Sequence, residues 1–204
     1  KGITPTGNAA TILAALQQSG LQYSTMTYGI LESRDVASHL EKMLSATGTS
    51  RVVIASESEA FVNDVVRNVN LMVFRKHDMA LYCPSKARSF ETIEVDNFHN
   101  TNMHVVTSYF INYDSSDVKN FLMKYRALFG AEPSPFAYQG YDTAYFFIKT
   151  CSTYGDRWPE KLDETTHKGL QSDFRFEKTD SGSYVNKAVR KVIYGPSYSI
   201  NLVR

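Results

Sequence analysis

The sequence lacks the features that mark several common classes of protein. Its 204 residues include only two cysteines, Cys83 and Cys151, and no run of eighteen apolar residues. Two cysteines so far apart have no metal-binding spacing, and without a long apolar run we expect no transmembrane helix and no membrane insertion. Cysteine usage leaves the redox compartment open, because a disulfide between the two and a pair of buried free thiols both fit the sequence.

An excess of charge of either sign is also absent. Lys and Arg number 22 against 21 Asp and Glu, which gives a formal charge of +1 at pH 7. A nucleic-acid-binding surface needs clustered Lys and Arg, so we expect no nucleic-acid partner. Aromatic residues are abundant, with 13 Tyr and 12 Phe. Most must lie in the core, but a few exposed rings would suit a recognition cleft.

Motifs that bind phosphate or form catalytic turns are missing as well. The sequence contains no Gly-x-Gly-x-x-Gly, no Gly-x-x-x-x-Gly-Lys and no Gly-x-Ser-x-Gly. Ser56 and His104 are the pair from which a hydrolase site could still be assembled, although Ser56 equally suits a helix cap. Asp96, His99 and His104 could converge on a metal, but their spacing is not that of a metal site. We therefore expect no enzyme, no cofactor and no metal.

Short β-branched runs alternate with helical segments along most of the chain. Residues 51–56 form a continuous run, which is typical of a strand covered by helices on both faces, and similar runs occupy 78–83 and 103–110. Residues 21–28 are predicted as a further strand, and residues 92–95 could form a brief one. Ser33 could cap the helix that follows the first of these. Apolar periodicity predicts helices at 8–19, 33–46, 59–76, 114–129 and 136–154. The last of these is apolar nearly all round, so we expect it to be central and buried.

The C-terminal part of the chain has a different pattern. Residues 172–178 and 184–194 alternate on either side of a turn, which is the signature of a β-hairpin. The order of elements predicts an α/β fold, with a mostly parallel Rossmann-like sheet, helices on both faces and a C-terminal hairpin. We expect a ligand-binding-type lobe over 1–165 and a hairpin extension over 166–204.

The chain opens with a helix where an α/β fold would place a strand. We therefore expect further chain upstream, and an incomplete sheet whose open edge could form a homodimer.

Polar residues follow the predicted strands at the point where α/β proteins bind ligands, beyond the carboxyl ends of the strands. Residues 56–58 come directly after the first β-branched run. Glu57 and Glu59 could recognise a ligand amine or hydroxyl, or could simply stabilise the start of the next helix. Tyr138 and Tyr141 could line a cleft by stacking, or could pack at the start of a helix.

Residues 51–72 and 103–149, with Tyr141-Asp142-Thr143-Ala144 near the start of the long helix, resemble type I periplasmic-binding proteins of the leucine/isoleucine/valine-binding kind. Residues 170–194 resemble a variant from Bacteroidetes proteins, in which the module often follows peptidoglycan-binding LysM domains. The resemblance covers chiefly one half of the two-lobed family fold. It implies a partial two-lobed fold with ligand contacts from these residues: Ser56, Glu57, Ser58, Cys83, Pro84, Ser85, Tyr138 and Tyr141.

The same resemblance implies a non-catalytic solute-binding or sensor-like module in the periplasm or cell envelope. Such a module closes two lobes around a small polar, amino-acid-like ligand, and a membrane permease or the cell wall would be its partner. The turn after the second strand, Cys83-Pro84-Ser85-Lys86, departs from the Gly-rich or acidic turn that transport receptors often have there. The alternative is a scaffolding module associated with cell-wall-binding domains that kept the fold and lost the ligand.

Overall fold

Three short strands pair side by side and run in the same direction. The computed structural model describes residues 7–203, apart from the side chains of residues 32–34. The strands are β1 (Ser50–Val53), β2 (Met79–Cys83) and β3 (His104–Thr107). Ser50 pairs with Met79, and Tyr82 pairs in turn with His104, both in parallel register. The predicted parallel arrangement of these three segments is thus confirmed.

Six α-helices surround or follow these strands in the described residues. They are α1 (Asn8–Gln18), α2 (Val36–Met43), α3 (Glu59–Phe74), α4 (Val95–Asn100), α5 (Ser116–Phe129) and α6 (Pro135–Tyr154). Short 3₁₀ helices occupy Ile30–Asp35, Ser85–Ser89 and Gly155–Lys161. Gly130 ends α5 in the left-handed conformation, with φ of 61°, and Pro135 begins α6 at a position where its missing N–H costs nothing.

The C-terminal strands belong to two different sheets. β4 (Thr166–Lys168), β5 (Asp173–Lys178) and β6 (Tyr184–Asn186) form an antiparallel sheet in that order. β7 (Arg190–Tyr194) and β8 (Ile200–Val203) instead join the first sheet, whose order is β1-β2-β3-β7-β8. The predicted hairpin is therefore confirmed at β5 and β6, but its second strand was predicted too long.

The side chain of Asn186 explains why that strand ends. Its Oδ1 accepts hydrogen bonds from the backbone N–H groups of Arg175, at 3.0 Å, and Ala188, at 3.0 Å. A side-chain acceptor here takes the place of a backbone partner, so the ladder stops and the chain turns away.

Two predicted strands do not form. Residues 21–28 have no sheet partner, and Leu21 is largely exposed. A strand needs a neighbouring ladder, which local sequence cannot supply. Residues 92–95 likewise lie outside the strands and lead into α4. The helix predicted from residue 33 begins at Val36, after the 3₁₀ turn, and the side chain of Ser33, its expected cap, lies outside the described side chains.

The chain divides into two compact units. The first unit comprises the chain up to Val105 together with Ile193–Asn201, and the second comprises Val106–Val192 together with the chain from Leu202. The backbone therefore passes between the units three times, within or next to β3, β7 and β8. This grouping differs from the expected division at residues 165 and 166.

Each unit has its own core. In the first unit, α3 buries Val62, Val66, Val69 and Met72, and β2 buries nearly its whole length. β1 is less covered than predicted, because it is an outer strand of the sheet and exposes Val53. In the second unit, α6 buries only Tyr138, Asp142, Phe146 and Thr150. The expectation that this helix is buried on all sides is wrong, since the described residues cover a single stripe of it.

Candidate ligand-binding site

The loops that follow β1 and β2 lie at one end of the sheet in the first unit. The two strands are parallel neighbours, and the N–H of Ile54 donates to the carbonyl of Tyr82 at 2.9 Å just beyond β1. Residues 56–58 and 83–85 therefore lie at the carboxyl ends of adjacent strands, at the same end of the sheet. This is where open α/β sheets bind ligands.

The loop after β1 is short and polar, and it leads directly into α3. The backbone N–H of Ser58 donates to Ser56 Oγ at 3.2 Å, and the carbonyl of Ser58 accepts from Val62 N–H at 2.9 Å. Ser56 is half-buried, whereas Glu57 and Ser58 are exposed. Glu57 accepts a hydrogen bond from the side chain of Asn8 at 2.7 Å.

The loop after β2 differs in what it offers a ligand. Cys83 is buried, and burial raises the pKa of its thiol to about 12, so the sulfur stays protonated and lies in the core. Pro84 is half-buried and Ser85 is exposed at the start of the 3₁₀ helix. Of these three residues, only Ser85 is exposed. Cys83 and Cys151 are both free thiols.

An open pocket of about 460 Å³ lies along the early turns of α3, the helix that follows the first loop. Its lining includes Glu59, Asn63, Asp64, Arg67, Thr92 and Ile30. Glu59, Asn63 and Arg67 recur at i, i+4 and i+8, which places them on one face of the helix. Only Glu59 of this set is predicted from the sequence as a recognition residue. The signal that could have found the others is this polar repeat within an otherwise apolar helix.

Hydrogen bonds hold the acidic groups of this pocket in place. Glu59 Oε1 accepts from the backbone N–H of Thr92 at 3.2 Å and from its hydroxyl at 2.9 Å. Asp64 Oδ2 accepts from the hydroxyl of Tyr28 at 2.8 Å and from Asn68 at 3.2 Å. Burial, and then the bond to Asp64, raises the pKa of Tyr28 well above its ordinary value. The phenol therefore stays a hydrogen-bond donor.

The two predicted tyrosines belong to the second unit. Tyr138 is fully buried, with its ring 4.8 Å from that of Phe121, and its hydroxyl has no hydrogen-bond partner in the described part of the chain. Tyr141 is 44% exposed and packs against Phe121 at 4.9 Å. Only Tyr141 presents ring surface to solvent. The ligand-binding role of all eight residues stays a prediction.

The residues considered for catalysis or metal binding each have other partners. His104 stacks on Tyr82 at 4.6 Å and its Nδ1 lies 2.7 Å from the carbonyl of Asn102, with no hydrogen bond to Ser56. His99 is buried with Nδ1 2.7 Å from the carbonyl of Gly195. Asp96 accepts from the hydroxyl of Tyr198 at 2.9 Å. Among the side chains that the structure describes, no three of His, Cys, Asp or Glu form a group that could hold a metal ion.

This architecture is that of the type I periplasmic-binding proteins, present here in part. The chain is similar to an ABC transporter substrate-binding protein of Desulfitobacterium hafniense solved with Leu, at 13% identity and a TM-score of 0.58 over 98% of this chain. It is similar to a putative branched-chain amino acid ABC transporter protein of Rhodospirillum rubrum, at 14% identity and a TM-score of 0.52 over 87% of this chain. A leucine-binding protein of Thermotoga maritima matches at 14% identity and a TM-score of 0.51 over 96%.

The match covers little more than half of each of those proteins. This chain spans 58% of the Desulfitobacterium protein, 50% of the Rhodospirillum protein and 55% of the Thermotoga protein. No family model and no curated protein matches the sequence. Within the described residues, no helix has the length and apolarity to cross a membrane.

Proposed function

We propose that this chain is a non-catalytic solute-binding module that holds a small polar, amino-acid-like ligand in its first unit. The pocket beside α3 is the observation that supports this proposal. It offers two carboxylates, Glu59 and Asp64, and one guanidinium, Arg67, beside the loop of residues 56–58. A free amino acid carries an ammonium and a carboxylate, so a pocket with both signs of charge suits it.

The two charged ends of such a ligand have separate partners. Arg67 forms no ion pair within the described part of the chain, and a guanidinium binds a carboxylate through two parallel hydrogen bonds. Glu59 is held by Thr92 and can accept from the ammonium. These few aimed polar groups would give selectivity.

A thermal-shift titration tests this function. The 204-residue chain is heated with leucine, isoleucine, valine and a panel of other amino acids, each raised to 10 mM. A ligand that binds only the folded state at one hundred times its dissociation constant adds about 2.7 kcal/mol to the unfolding free energy, so the melting temperature should rise with one or more members of the panel. Leucine is the first to try, because the Desulfitobacterium neighbour was solved with it.

Two variants connect any shift to the pocket. R67Q and E59Q should each weaken binding at least about tenfold, since each removes the charged partner of one end of the ligand. K42Q is the matched control, because Lys42 is an exposed cation at the end of α2 that lies outside the pocket, and it should leave the shift unchanged. A panel without any shift, or a shift that survives R67Q, would contradict the proposal.

The neighbours' names also suggest where such a module works. One is an ABC transporter substrate-binding protein and another is a leucine-binding protein, so we propose that this module lies in the periplasm or cell envelope and delivers its solute to a membrane permease. A scaffolding role, with a cell-wall-associated partner and no ligand, is the second candidate. The observation that favours it is that two of the predicted ligand contacts, Cys83 and Tyr138, are buried.

A further inference from the structure

A groove of about 1480 Å³ runs along α5 and α6 in the second unit. A continuous series of aromatic rings lines it. Phe129, Tyr125 and Phe121 follow one another along α5, with ring centroids 4.6 Å and 5.8 Å apart. The series continues from Phe121 through Tyr141 and Tyr145 to His167, at 4.9, 6.0 and 5.0 Å. We call this surface the aromatic groove.

Apolar side chains that line the aromatic groove are more exposed to solvent than apolar residues usually are. Leu128 is 78% exposed and Phe129 is 65% exposed, and both line the groove. Exposed apolar side chains that lie next to one another can mark a site of interaction with another molecule. The composition of α6 agrees, because the helix is apolar nearly all round while the described residues bury one stripe of it.

The size and shape of the groove favour a polypeptide over a small molecule. Pockets for small ligands usually measure about 300–1,000 Å³, and the groove exceeds this range. A third helix commonly packs into the apolar groove between two neighbouring helices, because its side chains fill the spaces between the side chains of those helices.

The charges along α5 fit a second copy of the same helix in antiparallel orientation. Asp117 lies in the first turn and Lys124 lies seven residues later, on the same face, and both line the groove. Around a two-fold axis between them, Asp117 of one copy meets Lys124 of the other, and the reverse contact follows by symmetry. The opposed helix dipoles of an antiparallel pair add to this attraction.

The end of the sheet beside the groove is also open. β8 is an outer strand of the five-stranded sheet, and its residues Leu202 and Val203 line the groove. The strand carries no proline and no charged residue in Ile200–Val203, the devices that commonly block an edge. The aromatic groove therefore combines apolar area, self-complementary charge and an unprotected edge.

We propose that the aromatic groove is the interface of a two-fold symmetric homodimer, with α5 of one copy packed antiparallel against α5 of the other. The two groups of exposed rings and the two Asp117–Lys124 pairs then become mutually buried. This interface involves the second unit only, and it is independent of the ligand pocket proposed in the first.

Sedimentation velocity on the 204-residue chain between 1 and 100 µM tests this proposal. We expect a monomer–dimer equilibrium within this range. L128K, which places a charge in the apolar centre, should raise the dissociation constant at least about tenfold, and K124D should do the same by setting two acids opposite each other. The double exchange D117K/K124D restores the opposite-charge pairs and should return the dissociation constant to within about threefold of the original.

A control variant separates this interface from exposed apolar surface in general. Phe74 is 68% exposed at the end of α3 in the first unit, so F74K should leave the dimer intact. Circular dichroism confirms that each variant is folded. A chain that stays monomeric at 100 µM overturns the proposal and leaves the groove to a different polypeptide. A dimer that tolerates L128K, or one that the double exchange fails to rescue, overturns it as well.

Discussion

At the scale of single residues, Asp142 organises the second unit through its carboxylate. The carboxylate accepts backbone N–H bonds from Leu170 at 2.7 Å, Gln171 at 2.8 Å and Ser172 at 3.0 Å. Asp142 is almost fully buried, and Gly169 leaves room for it, since a Cβ there would come within 2.6 Å of the Asp142 Cγ. This loop is therefore fixed to α6 by one buried anion.

Arg190 completes the same structure from β7. Its guanidinium donates to the carbonyls of Leu170 at 3.0 Å and Gly169 at 2.6 Å, and it pairs with Asp173 at 2.7 Å. Asp142 thus accepts from the backbone N–H groups of this loop, and Arg190 donates to its backbone carbonyls. Buried charges with this many partners are costly to alter.

Replacing Asp142 with asparagine tests the anchoring role of its carboxylate. The side-chain amide of D142N can still accept, but its NH₂ faces backbone donors and leaves at least one of them buried without an acceptor. We expect a loss of about 2–3 kcal/mol in the free energy of unfolding, measured by urea denaturation at pH 7. D163N is the matched control, because Asp163 is exposed, and it should stay within about 0.5 kcal/mol. Equal effects of the two variants would remove the anchoring role.

At the scale of elements, the features set by local sequence were predicted well. β1, β2 and β3 came from continuous β-branched runs, and α5 came from its apolar stripe and from Gly130. The strand predicted at residues 21–28 was wrong, because pairing depends on a distant partner that composition does not reveal. The early turns of α3 show the same limit for the site. Asn63, Asp64 and Arg67 lie in a largely apolar helix, and only the packed structure shows that they line one pocket with Thr92.

α6 shows how composition can mislead about burial. Its sequence predicts a helix buried on all sides, whereas in the structure Phe146 is buried and Ile148, two residues later, is 69% exposed. The Phe146 ring stacks on Phe174 at 4.7 Å, with 10° between the ring planes, and forms the centre of a small core with Leu162. Apolar periodicity identified the helix, but it did not say which face meets another element.

Truncating each of these two side chains measures the asymmetry of α6. F146A should cost about 3–5 kcal/mol, since it opens a cavity in the core of the second unit. I148A should cost less than about 0.5 kcal/mol at 1 µM protein, where a weak dimer is dissociated. Urea denaturation followed by far-UV circular dichroism gives both values. A large loss for I148A would mean that this face is covered even in the monomer.

At the scale of the whole molecule, the likeness to substrate-binding proteins is a likeness of fold. The sequence predicted the α/β class and the parallel strands, since these follow from short apolar runs that alternate with helices. It did not predict two units that the backbone joins three times. β7 and β8 are short, and their place in the first sheet depends on the pairing of β7 with β3, which lies more than eighty residues earlier in the chain.

The response of the whole molecule to acid follows from two groups in different units. In the second unit, burial and then Lys149 lower the pKa of His167. In the first unit, the hydrogen bond from His77 and the charge of Arg75 lower the pKa of Glu41. In both cases the unfolded chain binds protons more readily than the folded one. Stability must therefore rise with pH between the folded pKa of each group and its higher unfolded pKa.

We therefore expect the free energy of unfolding to fall in two phases as the pH is lowered. The first phase begins near pH 7, as the pH passes through the unfolded pKa of histidine, 6.5, and continues to the lower folded pKa of His167. The second begins near pH 5 and passes from the unfolded pKa of 4.5 to the lower folded pKa of Glu41. H167Q should flatten the first phase only, whereas H39Q, which removes an exposed histidine on α2, should leave both phases in place. Urea denaturation at half-unit steps of pH measures the profile, and a first phase that persists in H167Q would show that another group controls it.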